Sequence, residues 1–338
     1  MNLDTLKNAP RLLIEAKLQP IAGTRFQPTG FPDLGAAQYK AVKEAEMVDM
    51  LLVESAQSMA NRLEKVCWDE ANQKPISALT GMPYVESTLP DGTKTNSLLE
   101  AHRLNSPYIV NSAEFSQIES KIGFKKNQPF DRLKLAKALF HYDPCSLLHG
   151  IFLEKVGGVV RLPRALSAFI EAERVSVASS GGVKFDRIQP ETTGKTTAYG
   201  KAKDGYGNVP YAREEFTGDI KAYFCLDLAL LRGFGFNTKA FEFLVTLAAL
   251  KIRRLIESDL RLRTACDLEL AEGISTTRPK DSTWTLPETD FLETAIKEVI
   301  SKLKPEFGPS PLPVTYSAKM AKSKADKDQE TNADEEAQ

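Results

Sequence analysis

Between Arg11 and Gln19 the chain reads RLLIEAKLQ, where Leu12, Ile14, Ala16 and Leu18 alternate with Leu13, Glu15, Lys17 and Gln19. A period of two predicts a strand with one buried face. Pro20 ends it, and the turn residues of AGTRFQPTGFPDLGAAQY predict a loop. In EMVDMLLVESAQSMANRLEKV, Met47, Leu51, Met59, Leu63 and Val66 fall near helical spacing, away from Gln57, Asn61, Arg62 and Lys65. That spacing predicts an amphipathic helix over 46–66. Residues 67–165 are mixed, with helices predicted over Ser97–Leu104, Asp131–His141 and Ser146–Glu154, divided by Pro107, Pro129 and Pro144.

A second strand is predicted at 167–177, SAFIEAERVSV. From Ala178 to Asp219 no helix or strand of useful length is predicted, and so long an irregular stretch is usually functional or disordered. The third strand, IKAYFCLDLALL, carries Ile220, Ala222, Phe224, Leu226, Leu228 and Leu230 on one face. After the turn RGFGF, Asn237 or Thr238 can cap a helix running to Ser258. In the fourth strand, LRLRTACDLEL, Leu260, Leu262 and Leu268 take one face and Arg261 and Arg263 the other. A capped helix over 288–303 precedes a tail nearly free of large apolar residues, which is expected to be disordered.

The order β, α, β, β, α, β is that of the split βαβ, or ferredoxin-like, arrangement. The expected fold is therefore α+β, an antiparallel four-stranded sheet packed against two helices. Residues 10–66 and 166–305 would form this core, with 67–165 a mainly helical insertion and 306–338 a disordered tail. The 178–219 excursion would leave the core between its second and third strands.

Composition narrows the function. The 338 residues are 42% apolar and 26% charged, as in an ordinary globular protein. A net charge of −1 excludes a uniformly basic nucleic-acid binder, so any such role must rest on local patches. Cys67, Cys145, Cys225 and Cys266 form no Cys-x-x-Cys pair and are expected to be reduced thiols, without a metal. The start, MNLDTLKNAPRLLIEAKLQP, has no signal-peptide core, and no stretch approaches the ~18 apolar residues of a membrane span. A cytoplasmic protein without a membrane anchor is expected.

The motifs that could carry chemistry are each incomplete. Gly194-Lys195-Thr196 ends like a P-loop, but Gln189 stands where the first glycine belongs and Pro190 has no N–H to offer. The three histidines, His102, His141 and His149, form no zinc-binding pair, and no Gly-x-Ser-x-Gly elbow occurs. His141 and His149 are expected to be structural. His102, beside Arg103, has the residue type for ribonuclease acid–base work, although a capping or hydrogen-bonding role is the expectation. Arg232-Gly233-Phe234-Gly235-Phe236 opens like an RNA-recognition octamer but continues into a helix, so its rings are expected to anchor a turn.

The excursion is different. Lys184, Arg187, Lys195, Lys201, Lys203 and Arg213 outnumber Asp186, Glu191 and Asp204, and Phe185, Tyr199, Tyr206 and Tyr211 are interleaved. Cations that track phosphates beside rings that stack on bases bind single-stranded nucleic acid. The early loop repeats the recipe with Arg25, Phe26 and Phe31, and an outward Arg261 and Arg263 would add to it.

Several segments, among them LLIEAKLQPIAGTRFQPTGFPDLGAAQY, MLLVESAQSMANRLE, SLLEAHRLNSPYI, DPCSLLHGIFLEK, SGGVKFDRIQP and YGNVPYAREEFTG, span residues 10–270. Together they resemble the backbone subunit of the type I-G (formerly I-U) CRISPR interference, or Cascade, complex. That family belongs to the RAMP superfamily and is Cas-seven-like. The resemblance implies an RRM-like core whose thumb, here 178–219, presses on a CRISPR RNA. It makes 67–165 an accessory finger or helical region. Copies would pack head to tail in an open helical filament along the guide. The guide would read target DNA by pairing, leaving the protein to hold backbone and shape.

Implied partners are the large subunit, a fused RNA-processing and capping subunit and a recruited helicase–nuclease, in antiviral defence. Cutting belongs to that nuclease, so neither catalysis nor a cofactor is expected of this chain. An alternative comes from related type III subunits, in which an aspartate in the loop after the first strand cleaves target RNA. Asp33 lies in such a loop, which would make the chain a guide-directed endoribonuclease.

Overall fold

The computed structural model describes residues 3–31, 35–125, 128–158, 160–184, 209–258, 260–280, 282–319 and 321, without the side chains of 31, 184 and 209–213. Strand β1 (Arg11–Pro20) buries Leu12, Ile14, Ala16 and Leu18 as its alternation predicts. The helix expected over 46–66 is instead two elements. Residues Glu46–Glu54 form strand β3, paired with β2 (Gln38–Lys43) across a turn at Glu44 and Ala45, both with positive φ. Cross-strand bonds outweigh the helical spacing there, and burial of Leu51 and Val53 follows the strand period. Only Ala56–Lys65 is helical (α1), and the Ser55 hydroxyl caps it by accepting from Ser58 N–H at 3.3 Å.

The region 67–165 has more strand and turn than expected. It contains β4 (Val85–Thr88), β5 (Lys94–Asn96), α2 (Phe115–Ile122), α3 (Arg132–Tyr142), α4 (Cys145–His149), β6 (Ile151–Leu153) and β7 (Val160–Leu162). Residues 97–104 are no α-helix; a single 3-10 turn occupies Arg103–Asn105. The helix expected over 146–154 breaks at Gly150, whose φ of 75° favours glycine. A Cβ there would stand 2.9 Å from the Leu162 carbonyl oxygen, so the absent side chain lets β6 fold back on β7.

Two long strands follow, β8 (Leu166–Lys184) and β9 (Val209–Asp227). They overturn the expectation of irregular chain over 178–184 and 209–219, because the ladder continues out to Lys184 opposite Val209, while 185–208 lie outside the described residues. A ribbon that buries neither face has no apolar alternation to betray it, yet its backbone bonds are satisfied. Asp227 ends the third strand by capping α5 (Leu228–Gly233), and α6 (Thr238–Ser258) matches its prediction. Strands β10 (Arg261–Arg263) and β11 (Cys266–Arg278) and helix α7 (Thr289–Leu303) follow. The tail begins with structure: β12 (Leu312–Thr315) pairs parallel to β4 and buries Leu312 and Val314. Residues 322–338 lie outside the described part.

The main sheet runs β10-β11-β1-β9-β8-β3-β2, antiparallel throughout. Leu12, Ile14, Ile170, Ala172, Ala222 and Phe224 bury one face; α1 contacts β8 and α6, which packs on α7. Phe234 is buried and Phe236 half-buried, its ring 4.8 Å from that of Phe140, so RGFGF anchors a turn. No described helix is long and apolar enough to cross a membrane.

Candidate nucleic-acid interface

The ribbon of β8 and β9 leaves the sheet at a bulge. Glu173 pairs with Asp219 and Ser176 with Thr217, so Arg174 and Val175 together face Gly218. Arg174 takes a φ of 54°, and a Cβ on Gly218 would stand 2.9 Å from the Glu173 carbonyl oxygen. Such an extra residue bends a strand and sharpens its twist. Beyond the bulge, residues 176–183 are exposed or half-exposed, including Val177 and Val183. A lone two-stranded ribbon is marginal in water, so this arm needs support at its root and something to grip.

The root is held by the loop after β1. Phe26 N–H donates to the Phe216 carbonyl and Phe216 N–H to the Phe26 carbonyl, both at 2.9 Å, and both rings are fully buried. Arg25, exposed, forms an ion pair with Glu215 at 3.2 Å. The two regions that share basic and aromatic composition are thus stapled together, although they lie far apart in the chain. This corrects the role expected of Phe26: its ring is core and does not face a base. Truncation to Phe26→Ala is expected to cost about 3–5 kcal/mol of stability. It should also speed amide exchange over 214–217; urea denaturation and hydrogen exchange would check both.

Arg263 also departs from expectation. Its Nη1 donates to the carbonyls of Gln27 (3.0 Å) and Val53 (3.1 Å), and its Nη2 pairs with buried Glu54. It braces the loop from within, because only a guanidinium fork can reach those acceptors together. Arg261 is exposed, as expected. Lys184 and Arg213 lie on the arm, opposite Val209 and Ser180. Phe31 pairs by its backbone with Gly35. Asp33, Arg187, Lys195, Tyr199, Lys201, Lys203 and Tyr206 lie outside the described residues.

At the arm's root the open sheet face holds a cleft of about 340 Å³ lined by Lys17, Glu171, Glu173, Arg174, Asp219, Lys221 and others. Beside it the rings of Phe169 and Tyr223 stack at 5.1 Å, with Lys221 Nζ 5.6 Å from the Tyr223 centroid. Each cation already has a carboxylate: Lys17 with Glu272 (2.7 Å), Lys221 with Glu15 (3.1 Å), Arg174 with Asp219, and Lys43 with Glu173. The Lys43 ammonium holds the Glu173 carboxyl below its usual range. This face offers an aromatic ledge with balanced charge. Cross-strand neighbours create it, so no local motif announces it.

A second polar cluster lies inside the body. The Arg103 guanidinium grips Glu64 by two bonds of 2.6 and 2.7 Å, and Asp143 accepts from Ser146 Oγ at 2.8 Å. His149 Nε2 lies 3.0 Å from Lys251 Nζ, both buried, which agrees with a structural histidine. His141 Nδ1 likewise meets the Glu306 carbonyl at 3.1 Å. Burial, and then the charges of Lys251, Arg103 and Arg164, holds the His149 pKa well below the usual 6.5. The unfolded chain therefore takes up a proton that the folded chain refuses. This stability is complete above the unfolded pKa and falls below it by about 1.4 kcal/mol per pH unit until the folded pKa is reached.

Burial pushes the Glu64 and Asp143 carboxyls up, which acts in the opposite sense. Comparison with His149→Gln therefore isolates the imidazole. Between pH 7 and 5 the urea midpoint of the wild type should fall more steeply than that of the variant, and parallel slopes would contradict this.

Fold and site define an α+β protein with a β-ribbon arm stapled to the loop after its first strand. Residues 12–177, just under half of the chain, match the family described as CRISPR-associated protein GSU0053. No curated protein matches the sequence. Distant likenesses exist among solved structures. A chain of a "CRISPR RNA-guided surveillance complex, pre-nicking" is 11% identical (TM-score 0.39), covering 87% of this chain and 89% of its own. A chain of a "CRISPR RNA-guided surveillance complex" is 12% identical (TM-score 0.34), covering 87% and 84%. Csc2 of Thermofilum pendens is 13% identical (TM-score 0.31), covering 90% and 78%.

Proposed function

We propose that this protein is the CRISPR-RNA-binding backbone subunit of a type I, specifically I-G, surveillance complex, and that it does no chemistry itself. The observation that carries the reading is the arm: a ribbon without a core of its own, leaving the sheet at a bulge and stapled to a second loop of like composition. Such a device suits a thumb that lies on a single RNA strand, with cations on phosphates and rings on bases. The strand order β11-β1-β9-β8, fourth-first-third-second, with α1 and α6 against one face, supports an RRM-like core. Residues 67–165 would serve as a finger. Copies would stack head to tail along the guide in the cytoplasm, beside a large subunit and a processing and capping subunit. Target DNA would be read by pairing and cut by a recruited helicase–nuclease.

The protein purified with its neighbouring subunits should carry RNA with CRISPR-repeat ends, detected by its 260/280 nm absorbance ratio and by sequencing. A monodisperse, nucleic-acid-free product would sink the proposal. Neutralising Lys195, Lys201, Lys203 and Arg213 together should weaken binding and reduce the salt slope by about 3, at ~0.7 per phosphate on a single strand. An unchanged slope would remove these four from the interface.

A further inference from the structure

Away from the arm, a groove of about 830 Å³ opens between the start of α1, residues 101–111 and the β6–β7 hairpin. Its walls come from SLLEAHRLNSPYI and DPCSLLHGIFLEK, two segments that the arm leaves unexplained. His149, 1% exposed, lines it. An ammonium can only donate, so His149 Nε2 accepts from Lys251 and Nδ1 carries the proton. Among the described residues that buried N–H has no partner, and neither has the buried Oδ1 of Asn105, which lines the same groove. Buried polar groups are almost always paired, so an orphan donor and an orphan acceptor in one groove call for a ligand that offers both.

The rim says which. Phe152 is 43% exposed, with the Arg161 guanidinium 4.9 Å from its ring centroid. Arg164 reaches the Ala56 carbonyl at 3.0 Å, and no ion pair joins Arg161 or Arg164 to a carboxylate among the described residues. Water alone would satisfy the two orphans, but it explains neither a space many times the ~30 Å³ of one molecule nor two guanidiniums without a carboxylate partner among the described residues beside an exposed ring.

We propose that this groove holds one nucleotide of a single-stranded nucleic acid. The phosphate lies against Arg161 and Arg164, and the base stacks on the Phe152–Arg161 pair. His149 Nδ1–H donates to a ligand oxygen and Asn105 Oδ1 accepts from a base N–H, directly or through one water. This subsite is separate from the arm and does not depend on the arm's role.

The test uses the full chain and a five-nucleotide RNA carrying one 4-thiouridine. Photocrosslinks should map to residues 149–164. Phe152→Ala with Arg161→Ser, both on the rim, should reduce this crosslink about tenfold or more. His149→Gln, which keeps an acceptor for Lys251 and deletes the Nδ1–H, should reduce it several-fold. The four-residue neutralisation on the arm should leave it unchanged. No crosslink within 149–164, or one indifferent to the rim variant, overturns the proposal. So does a pentaglutamate peptide that protects the groove from hydrogen exchange as well as the RNA does, since the groove would then be an acidic-peptide site. Arm-independent RNA binding with the groove crosslink intact would instead sink only the arm's assignment.

Discussion

Replacing residues 179–214 by Asn-Gly is expected to weaken binding of a guide-length RNA about 100-fold or more while leaving the body of the protein folded. Ala178 and Glu215 are direct partners across the ribbon, so a two-residue hairpin turn can close the shortened arm there. Where side chains are described, the removed residues are exposed or half-exposed and contribute nothing to the core. Phe216, its staple to Phe26 and the Arg25–Glu215 pair all remain. The melting temperature should therefore change little, and the shorter loop lowers closure entropy slightly. Binding loses the cations Lys184, Arg187, Lys195, Lys201, Lys203 and Arg213 and the rings Tyr199 and Tyr206. Two stacked rings alone account for roughly 2–6 kcal/mol, so affinity for a guide-length RNA should fall by about 100-fold or more. Anisotropy titrations at fixed salt would measure it. A shortened protein that binds as the wild type does would remove the arm from the mechanism.

Arg103→Leu should be among the most destabilising single changes. Its guanidinium holds Glu64 of α1 by two short bonds and reaches the Gly150 carbonyl at 3.3 Å, tying the 97–111 segment to the core helix and to the break after α4. Both partners are nearly buried, and stranding one charge of such a pair costs about 3–5 kcal/mol. Without Arg103, Glu64 and Asp143 would share Lys251 as the buried cation beside them. Glu64 would then escape by taking a proton, because burial already pushes its carboxyl up. A raised carboxyl contributes its stability at low pH and loses it as pH rises through the folded pKa, so the variant's deficit should be larger at pH 8 than at pH 5. Glu64→Met in the Arg103→Leu background should recover most of the loss, which denaturant unfolding of the four-member cycle would quantify. A single-variant cost below about 1 kcal/mol would mean that water or another cation replaces the guanidinium.

The strand at 11–20, the third strand around Ile220–Leu226 and the helices Thr238–Ser258 and Thr289–Leu303 were legible from residue order. Each buries one face, and one-sided burial imprints its period on the chain. The wrong helix over Glu46–Glu54 shows the limit of that signal, because a short apolar run fits both periods until its partner is known. The arm's basic, aromatic composition was legible but its strand ladder was not. Its lysines and tyrosines stood out, whereas a ribbon in solvent leaves no hydrophobic trace. Phe26 and Arg263 depart from expectation for a related reason: composition alone cannot tell a ring or guanidinium that faces solvent from one that closes a core.

Residue order alone thus determined the α+β class, the sequence of core elements and the basic aromatic character of two loops. Tertiary structure alone decided that these loops meet, through the reciprocal Phe26–Phe216 bonds, and that Leu312–Thr315 pairs with Val85–Thr88. It also decided that Asn105, His149 and Arg161 converge from separate segments around one groove. The division is physical: a period along the chain records which side of an element is dry, and carries no record of which distant element dries it.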